Sequence, residues 1–71
     1  MILPKAPVEK LIRSAGAERV SDGASLELLN ILEKISQEIS QQAKTYAAHA
    51  GRKTILAEDI RLAFENLYGK H

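Results

Sequence analysis

The chain has 71 residues, 45% of them hydrophobic and 27% charged, with ten Lys+Arg against nine Asp+Glu and a formal net charge of +1 at pH 7. That size admits one domain, 1–71, and that balance excludes both a disordered chain and a strongly basic one. The absence of cysteine excludes disulfide staples and thiolate metal sites, and no uncharged stretch approaches the roughly 20 apolar residues of a membrane span.

The first element is a short helix in "LPKAPVEKLIRSAG". Pro7 suits the first helical position, where a missing N–H costs nothing. Val8, Leu11, Ile12 and Ala15 then fall on one apolar stripe, and Gly16 supplies a left-handed stop. "AERV" is too short for an element of its own and can lie extended.

Ser21 is a good N-cap, with Asp22 favourable in the first turn. From there to His49 nothing stops a helix: no proline intervenes, and Gly23 lies near the start. The expected element is about 28 residues, roughly 42 Å long. Leu28, Leu32, Ile35, Ile39, Ala43, Tyr46 and Ala50 repeat at threes and fours, while Glu27, Glu33, Lys34, Glu38, Gln41 and Lys44 mark the polar side. Gly51 ends it. "RKTIL" reads as a second short loop, and a third helix from about Ala57 carries Ile60, Ala63, Phe64 and Leu67 inward until Gly69.

The class is therefore all-α: short helix, loop, long helix, loop, short helix. Two flanking helices of about three turns cannot bury so long a central stripe, so a second chain must complete the core. A domain this small, with no staple available, points the same way. The mirrored layout suits antiparallel pairing of two central helices, which brings the first loop of one chain beside the second loop of the other.

Catalysis finds no support in these residues. His49 has serines and aspartates elsewhere in the chain, but there is no G-x-S-x-G, no metal-ligand pair at helical spacing and no glycine-rich phosphate loop. The expectation is a non-enzyme without cofactor or metal. With no basic-then-apolar leader, the expected location is cytoplasmic.

The segments "LPKAPVEKLIRSAGAERVSDGAS" and "HAGRKTILAEDIRLA" closely resemble the archaeal histones, ungapped over nearly the whole chain. The resemblance implies a handshake homodimer of histone folds that wraps or compacts double-stranded DNA, with weak sequence preference, on the nucleoid. It further implies side-by-side stacking of dimers into tetramers or longer assemblies, with heterodimers between paralogous histones possible in principle. By position, Arg19 matches an arginine inserted into the minor groove, where negative potential is strong and groove width is read. Lys53 and Thr54 match phosphate ligands of the second loop, and Lys10 and Arg13 match cations on the first helix. Arg52 matches a residue that pairs with Asp59 in the same chain and props the loop. Tyr46, His49, Asp59 and Leu62 match the dimer–dimer interface, where the histidine meets Asp59 of the neighbouring dimer. Gly16 matches the small residue that lets neighbouring turns of a stacked assembly approach; it also reads as an ordinary helix stop.

Departures from that pattern all reduce positive charge. Gln37 stands where an arginine is common, Thr45 replaces a frequent lysine beside Lys44, and Leu56 follows "KTI" where a lysine is common. Glu65 and Asn66 occupy usually basic positions. Each missing phosphate ligand reduces the salt slope of binding by about 0.9, so DNA binding is expected to persist but to be weaker than in more basic members. Leu56 has two readings: an exposed apolar residue that needs no explanation, or a contact with another protein. The near-neutral charge, Gln37, Thr45 and that second reading of Leu56 lead to an alternative function, a histone-fold interaction or capping module with weak DNA binding.

Overall fold

A computed structural model describes residues 3–69, so Lys70 and His71 of the tail lie outside the described residues. These residues form three helices and no strand: α1, Lys5–Ser14; α2, Asp22–His49; and α3, Ala57–Tyr68. The chain divides into two compact units, Met1–Ile35 and Ser36–His71, and α2 contributes to both.

In the first unit α1 starts earlier than the prolines suggest. Pro4 is the N-cap, in extended conformation at φ −74° and ψ 150°. Lys5 takes the first helical position and Pro7 the third. A proline is still tolerated there, because the N–H groups of the first turn have no helical acceptor to lose. The helix closes with Gly16 at φ 105°, its N–H donating to the Arg13 carbonyl at 2.9 Å. Arg13 in the last turn donates to Glu9 at 3.1 Å and to the Glu18 carbonyl at 3.2 Å, tying helix to loop. Of the expected α1 stripe only Val8 is buried; Leu11 is 58% exposed.

Ser21 caps α2 as expected, its Oγ accepting the Ala24 N–H at 3.0 Å. Lys5 donates to Asp22 at 3.2 Å, and the Leu3 N–H donates to Glu33 at 3.3 Å, so Glu33 does more than mark a solvated face. The deepest residues of this unit are Leu29, 1% exposed, and Ser25, fully buried. The hydroxyl of Ser25 has no hydrogen-bond partner.

In the second unit the fully covered hydrophobic residues are small: Ala43 and Ala47 on α2 and Ala63 on α3. Alanine at such positions lets helix backbones approach closely and costs no side-chain entropy on burial. Polar links hold α3 beside α2: the Asn66 amide donates to Gln42 at 3.0 Å, and the Tyr68 hydroxyl donates to Glu38 at 2.6 Å. The second bond raises the Tyr68 pKa, because losing the proton would leave two oxygens of like charge facing each other.

The expected central stripe sits at the margin of what one chain covers. Leu28, Leu32, Ile35, Ile39 and Tyr46 are half-buried, and Ala50 is exposed in the turn beyond the helix. On α3 only Ala63 is buried among the expected inward residues, whereas Ile60, Phe64 and Leu67 remain between 40% and 52% exposed, contrary to that expectation. The physical reason is geometric. A single neighbouring helix covers a narrow strip of α2, so the residues flanking that strip keep an open side.

Candidate nucleic-acid interface

The second loop is held at both ends by hydrogen bonds. Helix α2 ends in a Schellman motif, with the Arg52 N–H on the Ala47 carbonyl at 2.9 Å and the Gly51 N–H on the Ala48 carbonyl at 3.0 Å. That geometry needs a left-handed residue, and Gly51 supplies it at φ 74°. The motif delivers Arg52 directly after the turn. Its guanidinium then makes two parallel bonds to Asp59, at 2.9 and 3.1 Å, and a third to the Thr54 carbonyl at 2.9 Å.

Asp59, only 2% exposed, works in three directions. Besides its two bonds from Arg52, its Oδ2 accepts the Leu56 N–H at 2.8 Å. Leu56 is the N-cap of α3 and Asp59 the third helical residue. Leucine offers no side-chain acceptor, so only the acid half of a capping box operates here. Arg52 is the principal cause that lowers the Asp59 pKa; the Leu56 N–H adds to it, against the opposing cost of burial. The same hydrogen bond raises the Arg52 pKa, and the pair stays ionised through the physiological range. The brace expected between Arg52 and Asp59 is thus present in the chain. Its further grip on the Thr54 carbonyl and the capping of α3 go beyond the sequence expectation, although an acid three residues after an N-cap is a legible signal.

The brace does not engage the side chains of Lys53 or Thr54. Lys53 and Thr54 are exposed at the loop surface, and Lys53 has no ion pair or hydrogen bond among the described residues. In the first loop Arg19 is exposed and equally unpaired among the described residues, as is Lys10 on α1. Arg13 differs. It is exposed but engaged by Glu9 and the Glu18 carbonyl, so part of its charge is already neutralised. Among the departures, Gln37 and Leu56 are exposed, and Thr45 donates to the Gln41 carbonyl at 3.2 Å along its own helix.

The four residues matched to a dimer–dimer interface occupy different environments. His49 and Leu62 are exposed, Tyr46 is half-buried and Asp59 is buried with both oxygens already accepting. Among the described residues no group of three or more His, Asp or Glu could hold a metal ion, and no helix is long and apolar enough to cross a membrane.

The short–long–short helix order fits the histone fold, and the family match places the chain in the architectural, DNA-binding class. The chain belongs to the family of histone-like transcription factors (CBF/NF-Y) and archaeal histones, whose family model matches residues 1–64. It is 54% identical to one of the chains of the archaeal histone HAN1 from Thermococcus zilligii, over 86% of this chain and 91% of that one. Probable archaeal histone 3 of Methanocaldococcus jannaschii is 41% identical over the same shares. The DNA-binding protein HmvA of the same organism is 38% identical, over 84% of this chain and 62% of its own length.

Proposed function

We propose that this chain acts as a single histone-fold domain that dimerises with a second copy and binds duplex DNA through its paired loops and first helices, without catalysis. The observation that carries the reading is the second loop. An arginine–aspartate brace holds its backbone while Lys53 and Thr54 face outward unspent. A loop fixed in advance forfeits less conformational entropy when it meets a phosphate. The half-buried residues of α2, with Ile60, Phe64 and Leu67 of α3, supply the apolar surface that a second copy covers.

Phosphate contacts are assigned to Lys10, Arg13, Lys53 and Thr54, and the minor-groove arginine to Arg19. Arg13 ranks lowest among them because of its bonds to Glu9 and Glu18. Such contacts place the protein on the duplex without reading bases, so sequence preference is weak. Dimers stack into tetramers or longer assemblies on DNA in the nucleoid, with Tyr46, His49, Asp59 and Leu62 at the contact. Exposure of His49 and Leu62 supports this; at Asp59 the remaining acceptor capacity lies on Oδ1, which takes one bond from Arg52. Heterodimers with paralogous histones would use the same apolar surface.

A second reading rests on Leu56, which is 39% exposed at the head of α3. There the chain would act as an interaction or capping module that scarcely binds DNA. Chemical crosslinking combined with DNA footprinting over a series of salt concentrations tests the proposal. Protected lengths that grow in steps with the crosslinked oligomer support it, and crosslinked dimers that protect no DNA at low salt refute it.

A further inference from the structure

A groove of about 390 Å³ lies where the end of α2 meets the second loop, lined by Lys44, Ala47, Ala48, Arg52, Lys53 and Ile55. Its chemistry is one-sided. Three of the six lining residues are cations and none is an acid. Arg52 is held by Asp59, but Lys44 and Lys53 are exposed and have no ion pair or hydrogen bond among the described residues. Beside Lys44 the α2 wall is alanine, with Ala47 buried and Ala48 exposed.

We propose that Lys44 is a further phosphate-binding residue, which grips the DNA backbone in this groove together with Lys53. The inference rests on the DNA-binding reading above and extends it from the second loop onto the end of α2. Two exposed lysines lining a groove together with Ala47, Ala48 and Ile55 suit an oxyanion that carries its own bulk, as a phosphodiester does. Each ammonium is a compact point charge that needs no fixed geometry. The neighbouring Thr45 does not line this groove and donates to the Gln41 carbonyl of its own helix.

The test is the salt dependence of binding to a short duplex by wild type, Lys44→Gln, Lys53→Gln and Lys34→Gln. Lys34 is a lysine of α2 remote in sequence from the groove and serves as a net-charge control. With two copies per dimer, removal of one phosphate ligand per chain makes the slope of log K against log salt shallower by about 1.8. The expected result is that shift for both Lys44→Gln and Lys53→Gln, with little change for Lys34→Gln and unaltered melting curves. If Lys53→Gln shifts the slope and Lys44→Gln does not, the groove assignment fails while the DNA-binding reading stands. If neither shifts it, both fail. An equal shift from Lys34→Gln reduces the effect to net charge and overturns the assignment. Repeating the series in phosphate at the ionic strength of the chloride buffer separates duplex from free anion. Persistence of the Lys44 effect supports the DNA backbone, and its disappearance assigns the groove to free phosphate and contradicts the proposal.

Discussion

Ser25→Ala should stabilise the protein. The hydroxyl of Ser25 is fully buried in the first unit and has no hydrogen-bond partner. Leaving such a group without a partner costs about 1–3 kcal/mol. Alanine also has the higher helix propensity, by roughly 0.5 kcal/mol at an interior helical position, and residue 25 lies within α2. Against these stands the loss of one oxygen from a packed site, a void smaller than a methyl group and so roughly 1 kcal/mol at most. The balance favours alanine by about 1 kcal/mol or more per chain, which for a domain of this size corresponds to roughly 4–8 °C in Tm. The measurement is thermal unfolding followed by far-UV circular dichroism at fixed protein concentration, because the Tm of a dimer depends on concentration. A lower Tm for Ser25→Ala would refute the reasoning and show that the hydroxyl gains a partner in the assembled protein.

Other perturbations have equally definite signs. Leu29→Ala, which empties a buried site on α2, should lower stability by about 2–5 kcal/mol in denaturant titrations. Gly51→Ala places a side chain at φ 74° where nothing obstructs the new methyl group. Its cost in the same titrations is therefore backbone strain of about 1–2 kcal/mol, partly offset by about 0.4–1 kcal/mol of entropy removed from the unfolded chain. Asp59 has a lowered folded-state pKa, so its contribution is complete above the unfolded carboxylate value and is lost as pH falls through the folded one. Asp59→Asn should accordingly flatten the acid limb of the stability–pH curve, and an acid limb as steep as that of wild type would count against the brace.

The element plan was legible because its punctuation is local. Ser21, Gly16 and Gly51 act on their own backbone, and all three operate as their residue types dictate. What escaped the sequence depends on contacts between elements. Pro7 suggests a helix start only because nothing in the sequence ranks it against Pro4 as an entry point. Leu29 and Ala47 lie one position away from the expected stripe, on the side that one neighbouring helix covers. The periodicity of α2 describes the sum of what its own chain and a partner cover, and cannot apportion it between them.

The candidate site divides the same way. Lys53, Thr54 and Arg19 were identifiable by resemblance, and the structure leaves the two cations unpaired among the described residues. The full brace required coordinates, because the Thr54 carbonyl becomes a partner of Arg52, and the Leu56 N–H a partner of Asp59, only once the turn has closed. Arg13 shows the converse: a cation placed by resemblance that its own helix and loop already engage.

The central claim is that exposed loop cations bind duplex DNA, and the most direct test measures the salt dependence of binding by wild type and by Arg19→Ala/Lys53→Ala. The account predicts binding by wild type at low salt that weakens steeply as salt rises, with a slope of about −5 if two copies each of Lys10, Arg19 and Lys53 contribute. The double variant should keep its helical content and dimer mass but bind far more weakly, with a slope shallower by about 3 to 4. Wild-type affinity and slope in the double variant would contradict the account.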